Sequence, residues 1–344
     1  MSSSNLSYRM PAEWEPHEAT WISWPKDPVT FPDQVLQKVE KIYLDMMAAL
    51  HEKEKVHLLV NDEKTEAKVQ KLLDEAGVKR NIFIHKIKTV DVWFRDYGPI
   101  FVKNYSNNKI KMTKWIFNAW GGKYEELMHD NSVVDHMIAL LNGMDVARPG
   151  IILEGGSIDV NGKGTLLTTE QCLLNGNRNK QLSKEQIENY LKENLGVSNI
   201  LWLKEGIVGD DTDGHVDDIA RFVGPKTVLC ATEHNKSDEN HAALQKNFEL
   251  LTIMKDQDGN PLEVKELPMP GEVNSPYGRL PASYANFYIG NGAVLLPVFN
   301  HKNDDVAINL LKESFPTRKI VPIYCEPLVW GSGAIHCVTQ QQPL

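Results

Sequence analysis

The sequence predicts an α/β protein of repeated units, each a β-hairpin, a helix and a further strand, with the two chain ends closing a ring of five. Three observations predict it. Four segments share one pattern of apolar strand, Gly or Asn turn and second apolar strand, which reads as a hairpin. Their starts at Ile100, Ile158, Ala220 and Phe287 are spaced by 58, 62 and 67 residues, and recurrence at a near-constant interval signals repeat or radial architecture. Behind each hairpin, apolar residues step by three and four, the period of an amphipathic helix.

In chain order, TWISW reads as a strand, PDQVLQKVEKIYLDMMAALHE as a helix and KVHLLVN as a strand. That unit lacks a full hairpin, and IHCVTQ near the C-terminus is expected to supply the missing strand. The next unit is PIFVKNYSNNKIKMTKW, VVDHMIALLNG and ARPGIILEGG. It is followed by SIDVNGKGTLLTT, KEQIENYLKENLG and NILWLKEG, then by ARFVGPKTVLCAT, ENHAALQKNFELL and LEVKELP. The last is NFYIGNGAVLLPV, DVAINLLKESFP and KIVPIYCEP. One catalytic domain over residues 1–344 is expected. DQDGN at Asp256 lacks the glycine and glutamate positions of a calcium loop and reads as a hairpin turn. GNG at Gly290 lies between strands, which removes it as a dinucleotide fingerprint.

The 344 residues are 42% hydrophobic and 24% charged, enough for a substantial core. A net charge of −9 argues against a phosphate-binding surface, so nucleic acid is not an expected partner and a small cation fits better. The first residues show no apolar leader, and no run reaches the roughly 18 apolar residues of a membrane span, so a cytoplasmic protein without membrane contact is expected. Cys172, Cys230, Cys325 and Cys337 show no CxxC spacing, which disfavours a thiolate zinc site and a disulfide framework.

Cys337 follows a flexible Gly331-Ser332-Gly333 run, and three distant strings carry acids or histidine: WFRDYGP around Asp96, LEGGS around Glu154, and DTDGHVDD around His215 and Asp217. A cysteine with histidine and carboxylates elsewhere in the chain is the pattern of a thiol nucleophile assembled by folding. On residue type alone Cys337 reads as a buried hydrophobe, Asp96 as a partner of Arg95, and Trp93 and Trp120 as core aromatics. His336, taken as neighbouring Cys337 on a strand, is expected to face away and be structural. Asp218 is expected to alternate away from Asp217 as a salt-bridge or turn residue, and Asp211 and Asp213 read as a solvated loop or a contact for a substrate amine.

Together the strings MPAEWEPHEATWISWP, DVWFRDYGPIFV, FNAWGGKY, LEGGSIDV, TDGHVDDIARFV and GSGAIHCVTQQQP resemble the agmatine deiminases of the guanidine-modifying superfamily, from Met10 to Pro343. GSGAIHC departs from the GGGNIHC of many relatives. The resemblance implies a five-bladed α/β propeller of ββαβ units, the pentein type, with the active site on its axis. It implies that Asp96 and Asp217 clamp a guanidinium, that Glu154 and His215 flank its carbon, that Cys337 attacks it, and that Trp93 and Trp120 line the channel. No metal or organic cofactor is implied.

A guanidinium is planar, delocalised and always protonated, so its carbon is a poor electrophile. Carboxylates can hold it through charge-assisted hydrogen bonds while a thiolate attacks. The expected course is a tetrahedral adduct, departure of ammonia protonated by His215, an S-alkylthiouronium on Cys337, and hydrolysis by water that His215 activates. A free thiol titrates near about 8.5, so either charged His215 or the substrate cation must favour the thiolate. Agmatine adds a distal ammonium, which suits an acidic pocket; free or peptidyl arginine would need a cation, for which Arg95, Arg221 and Arg279 are candidates. A metal-dependent hydrolase using His215, Asp217 and Asp218, a non-catalytic polyamine-binding protein, and a homo-oligomeric assembly remain open at this level.

Overall fold

The computed structural model describes residues 8–141 and 143–344. Residues 1–7, part of the start read as lacking a leader, lie outside the described residues. Five sheets repeat one plan, an antiparallel pair extended by a parallel strand across a helix. In the first, Ile100–Asn104 pairs with Ile110–Thr113, and Asp145–Ala147 joins in parallel after the helix Val133–Leu140. The second joins Asp159–Val160, Thr165–Thr169 and, after the helix Lys184–Leu195, Asn199–Leu203. The third joins Ala220–Phe222, Thr227–Thr232 and Glu263–Pro268 around the helix Asn240–Ile253. In the fourth, Tyr288–Ile289, Ala293–Val298 and Lys319–Tyr324 surround the helix Asp304–Ser314.

The fifth sheet uses both ends of the chain. Gln340–Pro343 pairs antiparallel with His17–Ser23, and Lys55–Val60 follows in parallel after the helix Asp33–Leu50. A further helix, Glu63–Glu75, and strand, Ile82–Lys86, extend it beyond the expected unit. The N-terminal segment is anchored by a close approach. Met10 N–H donates to Leu195 O, and Gly196, left-handed at φ 65°, lies where a Cβ would come within 2.0 Å of Tyr8 O. That contact directs the stretch carrying Glu13 inward.

Two strand expectations need correction. ARPGIILEGG holds only the end of a strand, Asp145–Ala147, with an isolated Ile116–Ile152 bridge beyond it, because Pro149 and Gly150 interrupt the ladder. The C-terminal strand is Gln340–Pro343, so Cys337 lies in the turn before it and not within it. This makes the units alike. Asp96, Glu154, Asp217 and Cys337 each lie three to five residues before the hairpin or closing strand of their unit, Asp96 and Asp217 within the short helical turns Phe94–Tyr97 and Val216–Asp218 and Glu154 capping the turn Gly155–Ser157. DQDGN forms the expected turn: Asp256 accepts from the N–H groups of Asp258 and Asn260, beside the Lys255–Pro261 bridge. No helix among the described residues is long and apolar enough to cross a membrane.

Candidate active site

The turns bring the distant strings together. Cys337 Sγ is 3.8 Å from Asp217 Oδ2, and Asp217, Asp218 and Cys337 offer atoms all within 4.8 Å of one another. His215 Nδ1 lies 3.7 Å from Asp96 Oδ1, and Glu154, Cys172 and His215 form a second group within 4.8 Å. Gly156 is the hub. A Cβ there would lie 2.5 Å from His215 Nδ1 and 3.0 Å from both Asp217 Oδ2 and Asp96 Oδ1. Gly156→Ala is therefore expected to displace the imidazole and both carboxylates and lower kcat about 100-fold, the scale of a 1 Å misplacement. Steady-state kinetics on a variant that melts normally checks this, and an unchanged kcat would mean that the cluster has room to spare.

Each group has its own support. Asp96 accepts from Gly156 N–H and from Trp120 Nε1–H, both at 3.0 Å. Trp120 reaches it from a turn whose Ala119, Trp120, Gly121 and Gly122 all have positive φ, a strained run for the two non-glycines that Asn118 secures by accepting from Gly121 N–H. Arg95 is not the partner of Asp96; it turns away to Gln341 Oε1 and Glu13. Trp93 gives its indole N–H to Asp91 and meets Trp120 edge-on. Asp211 accepts from Tyr124 Oη–H and lies 3.7 Å from Lys123 Nζ.

Arg178, Asn286 and Glu13 were not anticipated as supporting groups. Arg178 donates to Glu154 Oε1 at 2.6 Å and to Asp213 Oδ2 at 2.7 Å, leaving Glu154 Oε2 buried without a hydrogen bond. Asn286 donates to Cys337 Sγ at 3.1 Å and to Asp218 Oδ1 at 2.9 Å, and its carbonyl accepts from the N–H groups of His336 and Cys337. Asn286 precedes Tyr288–Ile289, so it holds in the fourth unit the place of the acids and the thiol in the others; that position was the available signal. Asp218 does not turn away, because a tight helical turn replaces the alternation of a strand. His336 likewise does not face away: its Nδ1 is 2.7 Å from Asp217 Oδ2 and its Nε2 is 2.8 Å from Glu13 Oε2.

Cys337 opens onto a cavity of about 220 Å³ lined by Asp27, Asp91, Asp96, Glu126, Asp211, Trp93, Trp120 and Trp330 among others. Among the described residues, its lining includes five acids and no lysine, arginine or histidine. Arg221 is bound to Glu13 and Asp159, and Arg279 to Asp238, so neither faces this space. Burial, with Asp217, Asp218 and Asp96 nearby, pushes the Cys337 thiol well above its usual range. Burial also pushes Asp96 well up, aided by Asp217 and Glu154, and takes His215 down to about 3. Burial acts upward on Asp217 too, but the His336 hydrogen bond and charge outweigh it and hold that carboxyl below its usual range. A cation entering here would favour the ionised thiol and acids alike.

Among the described residues, two triads could hold a metal ion: Glu154, Cys172 and His215, or Asp217, Asp218 and Cys337. The set needed by the metallohydrolase alternative, His215 with Asp217 and Asp218, is divided between them.

Residues 9–343 match the family model described as Porphyromonas-type peptidyl-arginine deiminase. The chain is 37% identical over 358 residues to the agmatine deiminase of Stutzerimonas stutzeri, covering 98% of this chain and 95% of the relative. It resembles the solved agmatine deiminase of Enterococcus faecalis with a TM-score of 0.90 at 33% identity, covering 98% and 96% of the two chains. A cysteine-to-serine variant of the C. jejuni agmatine deiminase with substrate bound gives 0.86 at 32% identity, with 97% and 96% covered.

Proposed function

The chain belongs to the Porphyromonas-type peptidyl-arginine deiminase family, and on that premise we propose that it hydrolyses agmatine to N-carbamoylputrescine and ammonia, a hydrolase acting on the C–N bond of a linear amidine. The observation that carries agmatine over arginine is the cavity wall. Five acids and no cationic side chain offer a dication two favourable ends, whereas the carboxylate of arginine would meet only repulsion. Burial of the whole chain in one catalytic domain, with its five like sheets arranged as a five-bladed propeller, is the architecture we propose; the shared strand plan and the joining of both chain ends in one sheet support it.

In the proposed mechanism Asp96 and Asp217 hold the guanidinium, and the distal ammonium faces the acid-rich wall that includes Asp211. Trp93 and Trp120 flank the aliphatic chain. Burial disfavours the charged form of both the Cys337 thiol and the His215 imidazole. The bound cation makes ionisation of the sulfur favourable, so the thiol proton passes to His215 as Sγ attacks the guanidinium carbon. His215 then returns that proton to the departing nitrogen, and ammonia leaves an S-alkylthiouronium. Water gives a proton to neutral His215 as it adds; the C–S bond then breaks as the new hydroxyl releases its proton to solvent to form the ureido carbonyl, and His215 returns its proton to the sulfur. Glu154, fixed by Arg178 through Oε1, lies beside His215 and keeps Oε2 without a hydrogen bond among the described residues.

Ammonia release from agmatine, free arginine and a blocked arginine peptide tests the substrate assignment. Agmatine is expected to exceed both by at least about 100-fold in kcat/KM, some 2.7 kcal/mol of discrimination. Comparable or faster turnover of arginine would transfer the assignment to an arginine deiminase.

A further inference from the structure

Behind the cluster that faces the cavity lies a second, fully enclosed layer of charge that the mechanism above does not use. His336 is 1% exposed, Glu13 5% and Arg221 and Arg95 2% or less. The layer runs from Asp217 Oδ2 through the His336 ring to Glu13 Oε2, and Glu13 is in turn held by Arg221 at 3.0 Å and Arg95 at 3.5 Å. Arg95 also donates to the His336 carbonyl, and Arg221 to Asp159. A neutral imidazole has one N–H to give, yet both ring nitrogens of His336 meet carboxylate oxygens. Arg221, His336 and Arg95 hold Glu13 well below the usual carboxylate range against its burial, and Asp217 is also held low, so both acids accept and both ring nitrogens donate.

We infer that His336 is a positioning residue for the reaction: its doubly hydrogen-bonded ring fixes Asp217 through Oδ2, leaves Asp217 Oδ1 for the substrate cation, and offsets the Asp217 charge beside the Cys337 sulfur. Asp217 Oδ1 is buried and has no hydrogen-bond partner among the described residues, as an acceptor reserved for a ligand would be. The groups facing Cys337 are Asp217, Asp218, Asp96 and Asn286, three acids and a neutral amide. Without the His336 ring, Asp217 would act on the sulfur at 3.8 Å as a full anion, and its Oδ2, which the thiol already approaches as a donor, would no longer be shared with the imidazole. The cation-holding part of this inference rests on the deiminase reading; the effect on the thiol does not.

The test reads the thiol directly. Alkylation of Cys337 by iodoacetamide, followed by mass spectrometry of its peptide across pH in the absence of substrate, gives the midpoint of thiolate formation. His336→Asn is expected to raise that midpoint by about one pH unit or more, a tenfold loss of thiolate at a given pH, and to raise KM for agmatine about tenfold. Glu13→Gln leaves every ring in place but removes the carboxylate that faces His336 Nε2, so that both ring nitrogens need no longer donate to acids. It is expected to raise the midpoint as well, whereas direct loss of a negative charge would lower it, so this variant decides the matter if His336→Asn does not fold. A midpoint unchanged or lowered in the folded variants would overturn the inference, even if wild-type turns over agmatine. Failure of the wild-type protein to turn over agmatine, with the midpoint shifted as expected, would overturn the substrate reading instead.

Discussion

Replacing Cys337 by serine is expected to lower kcat for agmatine by at least about 1,000-fold while the fold and agmatine binding persist. The hydroxyl proton is far more tightly held than a thiol proton, and the surroundings make ionisation harder still. Burial and three neighbouring acids already oppose the anion at this position, against the hydrogen bonds that Asn286 and the backbone of Ala334 donate to it. A bound guanidinium can bring a thiol within reach of neutrality but not an alcohol. Ammonia release measured beside circular dichroism and calorimetric binding of agmatine checks the result. Survival of turnover in the serine variant, particularly if a chelator then abolished it, would return the metal-dependent alternative.

Arg178→Met is expected to cost about 3–5 kcal/mol of stability near neutral pH, the usual penalty for leaving one half of a buried ion pair. Arg178 has its side chain fully enclosed and is bonded to Glu154, Asp213 and the carbonyl of Thr212, tying the acid beside His215 to the loop that carries Asp211. Methionine fills similar space and answers none of those oxygens. Burial raises the Glu154 carboxyl above its usual range even with Arg178 present. A carboxyl with a raised folded pKa binds its proton more tightly in the folded state, so folding stability falls as pH climbs from the unfolded value, about 4.3, through the folded one. Loss of Arg178 extends that window upward. Denaturant melts should therefore show a smaller deficit at pH 5 than at pH 8, and equal deficits would assign the loss to packing alone.

Much of the scaffold was legible because its signals are local. Apolar alternation split by NG, GP or NN turns marks a hairpin wherever it occurs, and the four hairpins lie where the strings place them. The helices followed from apolar steps of three and four, with Ser183 and Gln186 forming a capping box before Lys184–Leu195. The strand reading failed at Pro149-Gly150 and at Ile335–Cys337, where apolar residues are buried in turns. Apolar character reports burial, and it identifies a strand only when a ladder partner is present.

The gathering of Asp96, Glu154, His215, Asp217 and Cys337 was foreseeable from their recurrence ahead of each unit's first strand, a regularity that a repeat converts from sequence interval into proximity. Glu13, Arg178 and Asn286 were not singled out and His336 was read as facing away, because the partners of all four lie 24 to 323 residues away. Nothing local distinguishes a buried arginine that pins a carboxylate from one exposed to water.

Composition, interval and residue chemistry thus specify the repeating units, the thiol and the acids available to a cation, since propensity and side-chain chemistry are properties of short stretches. Which oxygen of each acid is occupied, which is left open, and that burial opposes charge on both His215 and Cys337 were decided by packing. Hydrogen-bond geometry and desolvation depend on every neighbour in three dimensions, and those neighbours come from all five sheets and the turns between them.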